Sequence, residues 1–257
     1  MDAPFAISTT LHFVRRHRQA VCAGAIVIAI IGHRLALWLM FGSILDHASE
    51  ANPGWLTWQY LLLPAYQREF FKSLWYLQQT PPLPHVVFGL VVAIADWPVG
   101  VARCLYALQA GLTASSAAVL FYLLCRLRCG LGISAAMALV FGVSTDVVVL
   151  EVNSFGQLFY ETGAMLFGLL ACYMLCVAMD EAPGRRSRRN LVLAGLCAAL
   201  GALTRSSFSL LALPLALIVV WTRGVRGALL FLAPVLLLQG GWCLKTYIVY
   251  GYASPAT

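Results

Sequence analysis

Long apolar runs separated by short basic or aromatic turns recur along almost the whole chain. The first, from about Ala20 to Gly42, follows Arg15, Arg16, His17 and Arg18 and has the roughly 20 residues that a bilayer crossing needs. It exceeds the apolar centre of a secretion signal and no small-residue cleavage pattern closes it, so a retained span with a cytoplasmic N-terminus is expected. His33 and Arg34 fall in its outer half, where an arginine either snorkels to the far interface or faces a polar cavity. Further spans are expected over Val99–Leu124, from beyond Gly130 to about Leu150, then Leu158–Met179, Leu191–Leu203, Phe208–Trp221, and Ala228 to about Leu244. Basic residues at Arg126 and Arg128, Arg185 to Arg189, and Arg223 and Arg226 close alternate runs, as loop charge does on the cytoplasmic side. The pattern predicts an all-α integral membrane protein, a polytopic bundle of about seven transmembrane helices with its N-terminus inside and its C-terminus outside.

Residues 43–98 interrupt this train as a long outer loop. Trp55, Trp58, Tyr60, Tyr66, Phe70 and Phe71 alternate there with Gln59, Gln67, Arg68, Glu69 and Lys72, a mixture suited to interfacial helices broken at Pro64. The apolar run His85–Ala95 stops at Asp96-Trp97-Pro98, too short for an ordinary crossing, and reads as interfacial or re-entrant. Before it, SLWYLQQTPPLPH (Ser73–His85) carries Pro81, Pro82 and Pro84, which lack amide donors and disfavour helix in the residue before them. That segment is either an anchoring loop with Trp75 and Tyr76 at the interface or a cover over a site, with Gln78, Gln79, Thr80 and His85 offering hydrogen bonds.

Composition excludes a soluble globule: 61% of the residues are hydrophobic and 11% charged, and the mean hydropathy is +0.83. The net charge of +7 sits in short blocks between apolar runs, which makes it a topological signal and argues against a nucleic-acid partner. The eight cysteines show no CxxC pair and no Cys/His spacing for zinc, so buried thiols are the expected use, and no metal ligand or cofactor is assigned. On the outer side the topology gathers Asp46, Glu50, Asp96, Asp146, Glu151, Glu161, Arg103, Arg205 and Lys245. Arg205, between two short apolar runs, either binds a phosphate through its planar fork or pairs with a carboxylate such as Glu161 or Glu151. Asp46 and Glu50 are one helical turn apart, although Asn52-Pro53-Gly54 makes their segment loop-like.

SLWYLQQTPPLPHVVFGL resembles the outer-loop Pro-Pro-Leu segment of the GT-C glycosyltransferases, the group of protein O-mannosyltransferases and aminoarabinose transferases. GALTRSSFSLLALPL resembles their Leu-Thr-Arg helix end, and Val101–Gly130 their basic-ended helix; SFGQLFYETGAMLF and WCLKTYIVYGYASPAT are similar to later segments. The resemblance implies residues 1–257 as a single membrane module lacking the C-terminal part of longer relatives, in a bacterial inner membrane rather than the endoplasmic reticulum. It implies transfer of a sugar from a polyprenyl-phosphate donor, among membrane lipids, to a lipid, glycan or protein acceptor at the outer face. By position it makes Asp46 the candidate base, with Glu50 as the alternative, and Gln79, Thr80, His85, Arg103 and Arg205 the candidate substrate contacts. Two departures stand against it: the first outer loop has no adjacent Asp-Glu pair, and no acidic residue or histidine directly precedes the prolines. They keep open a non-catalytic subunit, a carrier of lipid-linked substrates or a truncated inactive paralogue.

Overall fold

The structure, a computed structural model, describes residues 3–51, 68–77, 81–144 and 158–251; Gln79, Thr80, Asp146 and Glu151 lie outside them. The regular elements among the described residues are helical: α1 (Ala3–Ala51), α2 (Phe70–Trp75), α3 (Pro82–Ile94), α4 (Val99–Arg126), α5 (Leu131–Val143), α6 (Leu158–Asp180), α7 (Arg185–Thr204), a 3-10 turn (Ser206–Leu211) and α8 (Ala212–Tyr250). Among the described residues, four stretches are long and apolar enough to cross a membrane: His17–Ser43 in α1, Val99–Arg126, Tyr160–Asp180 and Ser206–Tyr250. Large apolar side chains, among them Ile28, Leu39, Leu217, Trp221 and Leu237, point away from the bundle. An exterior of this kind is solvated by lipid, and the chain is a membrane protein.

α8 is two helices rather than one. At Gly224 the backbone takes φ 71° and ψ −179°, a conformation open essentially to glycine alone. Gln239 Nε2 donates to Ser209 Oγ at 2.6 Å, and a Cβ on Gly227 would sit 3.3 Å from Val219 Cγ1. Both pairs straddle Gly224, so the arms 212–223 and 225–250 fold back on each other as an antiparallel hairpin.

Small residues let these helices approach closely, the usual device where lipid leaves no hydrophobic force between helices. Ala171, Ala178, Ala194, Ala198 and Ala199 form the seam of α6, α7 and α8, filled by Leu175, Val219 and Phe231. Gly195 is the tightest point, because a Cβ there would lie 1.9 Å from the Phe231 carbonyl oxygen. A second core joins Ile26 and Ile30 of α1, Ala117 and Phe121 of α4 and Ala138 of α5. A third packs Phe88 of α3 on Val101, Leu105 and Tyr106 of α4, with Trp38 of α1 against it.

Charged side chains occupy two levels of the bundle. At one, Asp46 of α1 pairs with Arg103 of α4, and Glu161 of α6 with Arg205 at the end of α7. At the other, Arg126 of α4 pairs with Asp180 of α6, and Arg186 of α7 with Glu181. Arg223 joins the second level by donating to the carbonyls of Ala178, Met179 and Glu181, which closes the C-terminal end of α6. At 1.5 Å per residue the two levels are roughly 35 Å apart along α4 and roughly 28 Å along α6, close to the thickness of a bilayer's hydrocarbon.

Two elements differ from expectation. The segment expected to become loop at Ser43 stays helical to Ala51, since SILDHASEA contains neither glycine nor proline, and Asp46 and Glu50 therefore ride on α1. The apolar run expected over Leu191–Leu203 is the latter part of α7, whose first turn is built from arginines. Arginine is a good helix former, and its long stem carries the charge clear of the apolar zone.

Candidate functional site

Ile31, Arg34, Leu35 and Trp38 fall at i, i+3, i+4 and i+7 of α1, and so do Arg103, Tyr106, Ala107 and Ala110 of α4. That spacing puts each set on one helix face. The two faces enclose a cavity of about 500 Å³, within the usual size of a small-molecule site.

Its three zones differ in chemistry. At its deep end Arg34 is 1% exposed; its Nη2 donates to the Gly142 carbonyl at 2.9 Å, and Nη1 lies 2.8 Å from His33 Nδ1. Of the two sequence readings, Arg34 follows the inward one. Gly142 is in the last turn of α5, where carbonyls lack helical partners and a cation is favoured, so Arg34 closes the end of a 13-residue helix inside the bundle. In the middle, Trp38 and Tyr106 meet with ring centroids 5.2 Å apart, and the Tyr106 hydroxyl donates to the Arg34 carbonyl at 2.9 Å. At the charged level, Arg103 grips Asp46 with both prongs: Nη2 to Oδ2 at 2.6 Å and Nε to Oδ1 at 3.2 Å. Arg103 is more than half exposed, so solvent screens this pair and it opens at little cost.

Two of the expected site residues thus meet here, Asp46 and Arg103. Glu50 is exposed one turn beyond Asp46. Gln79 and Thr80 are outside the described residues. Arg205 is engaged elsewhere: its Nη1 contacts Glu161 Oε1 and its Nε donates to Ser207 Oγ at 3.1 Å. That is the carboxylate pairing allowed for in the sequence, with Glu161 as the partner.

The end of the Pro-Pro-Leu segment is fixed from several sides. His85, one turn into α3, is 1% exposed, and its Nε2 lies 3.4 Å from the Tyr160 hydroxyl of α6. Burial lowers the imidazole from its ordinary 6.5 to about 4, so it is neutral at physiological pH. Upstream, Lys245 of the second α8 arm donates to the Leu77 carbonyl and Tyr250 to that of Tyr76. The Lys245 ammonium also lies over the Trp242 ring, 4.0 Å from its centroid. The last helix therefore clasps the chain just before QTPPLPH, while Phe88 carries α3 onto the core that includes Trp38 and Tyr106.

No family model, curated protein or solved structure matches this chain. Its chemistry is therefore read from the site itself. Among the described residues no three His, Cys, Asp or Glu side chains converge to hold a metal ion. The site does combine an apolar trough, two aromatic rings, a guanidinium at the mouth and a carboxylate in reach of it. Trp38 and Tyr106 were not singled out from the sequence, whereas Arg34 and Lys245 were noted there as charges in or beside apolar runs without a role. The helical stripes on α1 and α4 were the available signal, but that those stripes face each other is a tertiary fact.

Proposed function

We propose that the protein crosses the membrane about seven times and transfers a sugar from a polyprenyl-phosphate donor to an acceptor at the outer face. In this reading α1, α4, α6, α7 and the two arms of α8 are crossings, α5 enters from the Arg126 level as the start of the seventh, and α3 is re-entrant. The hairpin at Gly224 supports the two α8 crossings, and α7 supports another by running between the same two charged levels as α6. The excess of arginine at the Asp180 level makes that end cytoplasmic.

The observation that carries the function is the α1–α4 cavity, with Arg103 and Asp46 together at its mouth. In this reading the isoprenoid lies along Ile31, Leu35, Ala107 and Ala110, and the phosphate takes the fork of Arg103. That displaces Asp46, whose carboxylate then accepts a proton from the acceptor hydroxyl or amine as it attacks the anomeric carbon. The bond from that carbon to the phosphate oxygen breaks with its electron pair going to phosphate, where Arg103 stabilises the growing charge. Arg103 is preferred to Arg205 for this role because Arg103 lines the cavity and Arg205, paired with Glu161, does not.

A carrier of lipid-linked substrates is the second reading, favoured by Gln109. Both polar atoms of its amide are buried in α4 with no hydrogen-bond partner among the described residues, as expected of a group that meets a moving polar ligand. A photoactivatable polyprenyl phosphate tests the shared site: it should label α1 and α4, and labelling should fall at least tenfold in Arg103→Ala but not in Arg205→Ala. Labelling confined to other helices would refute the site. Transfer of the sugar without movement of the lipid between leaflets selects the enzyme, and movement without transfer the carrier.

A further inference from the structure

At the opposite end of the bundle a second cavity, of about 560 Å³, opens between α7 and the α8 hairpin. Arg188, Arg223 and Arg226 line it, with Leu191, Leu229 and Leu230 as its apolar wall. We propose that this cavity binds the phosphate headgroup of an anionic membrane lipid, a function separate from donor binding between α1 and α4.

The charge there is uncompensated. Arg223 is committed to the end of α6, and the nearby carboxylates are spoken for: Asp180 by Arg126, and Glu181 by Arg186 and Asn190. Arg188 and Arg226 pair with no carboxylate among the described residues. Two cations sharing one pocket repel each other, and a phosphate between them turns that repulsion into two charge-assisted hydrogen bonds. The backbone adds to this. Gly184 and Ser187 place the first turn of α7 on the cavity, and Gly227 places the first turn of the second α8 arm there, just past the break at Gly224. Helix starts present free amides and the positive end of the dipole, so two of them face the same space as the arginines.

The apolar wall decides for a lipid over a soluble anion. Leu229 lines the cavity and is also 60% exposed on the outside of the bundle. An acyl chain can therefore leave the pocket along Leu229 without crossing a polar rim, whereas inorganic phosphate gains nothing from that wall. The level of the pocket, at the end of the hydrocarbon zone marked by Arg126–Asp180, is where a phospholipid headgroup sits.

The test compares the full chain in nanodiscs of phosphatidylcholine alone, of phosphatidylcholine with phosphatidylglycerol, and of phosphatidylcholine with inorganic phosphate in the buffer. Phosphatidylglycerol should raise the wild-type melting temperature by several degrees and stay bound in native mass spectra. The double variant Arg188→Gln, Arg226→Gln should lose both effects while melting like wild type in phosphatidylcholine. Arg185→Gln, Arg189→Gln removes the same amount of charge from α7 outside the cavity and should retain both. Equal loss in the two double variants would overturn the site in favour of general surface attraction. A response to inorganic phosphate with none to phosphatidylglycerol would overturn its assignment to lipid, and no wild-type response to phosphatidylglycerol would overturn it altogether.

Discussion

Gly195→Ala adds one methyl group at the tightest helix contact in the bundle. The new Cβ would lie 1.9 Å from the Phe231 carbonyl oxygen and 2.8 Å from Pro234 Cγ. The nearer atom is backbone, so no side-chain rotation relieves the contact and α7 must move away from the second α8 arm by about 1 Å or more. Overpacking of this kind costs about 1–3 kcal/mol, and a rigid neighbour puts the cost at the upper end. Alanine returns up to about 1 kcal/mol of helix propensity over glycine, leaving a net loss of about 2 kcal/mol. For a chain of this size that corresponds to a fall in melting temperature of roughly 4–8 °C. Gly111→Ala in α4 is the matched control, because a Cβ there meets nothing within 4 Å. It should gain stability from propensity alone, by up to about 1 kcal/mol. Thermal unfolding of both variants in one detergent, followed by tryptophan fluorescence, reads the comparison. If Gly195→Ala melts at or above wild type, or if the two substitutions shift the midpoint alike, the packing of α7 on the hairpin is wrong.

Three further outcomes are expected. Gly224→Ala should cost about 1–3 kcal/mol with no steric clash, since φ 71° with ψ −179° is strained for any residue with a Cβ; unchanged stability would rule out the reversal there. His85 is neutral when folded down to about pH 4, whereas the unfolded chain takes up the proton near 6.5, so stability is complete above pH 6.5 and is lost as pH falls toward 4. The loss reaches about 3 kcal/mol and should shrink in His85→Gln; an equal acid sensitivity in that variant would remove His85 as the cause. Arg205→Ala should leave polyprenyl-phosphate binding close to wild type with at most a small loss of thermal stability, because its half-exposed pair with Glu161 is weak; a large loss of binding in a well-folded variant would return the phosphate role to Arg205.

Helix positions were largely legible in the sequence, because hydropathy reports what lipid must solvate. Val99–Leu124 became Val99–Arg126 and Leu158–Met179 became Leu158–Asp180; the short run at His85–Ala95 is the latter part of α3. The arms of α8 were foreseen as separate runs divided by Arg223 and Arg226, although the residue that turns the chain, Gly224, is silent in a hydropathy profile. Beyond Gly130 a span to about Leu150 was expected; α5 covers Leu131–Val143, and residues 145–157 are outside the described part. The site was half legible. The cost of a charge between two short apolar runs marked Arg205, while Asp46 and Arg103 were among the outer-side charges and became candidates through the family resemblance. Which of them pair depends on helix rotation and packing, so neither Asp46–Arg103 nor the choice of Glu161 for Arg205 followed from the sequence.

Transfer of the sugar by the purified protein decides between enzyme and carrier. Purified protein in nanodiscs should release radiolabelled sugar from one member of a panel of polyprenyl-phosphate sugars to an acceptor added from a membrane extract. Asp46→Asn keeps the size of the side chain and removes the proton acceptor. Base catalysis by Asp46 requires that this variant bind donor and melt close to wild type but transfer at least a hundredfold more slowly. Wild-type transfer by Asp46→Asn, or no transfer from any donor by the unaltered protein while the lipid still moves between leaflets, would contradict it.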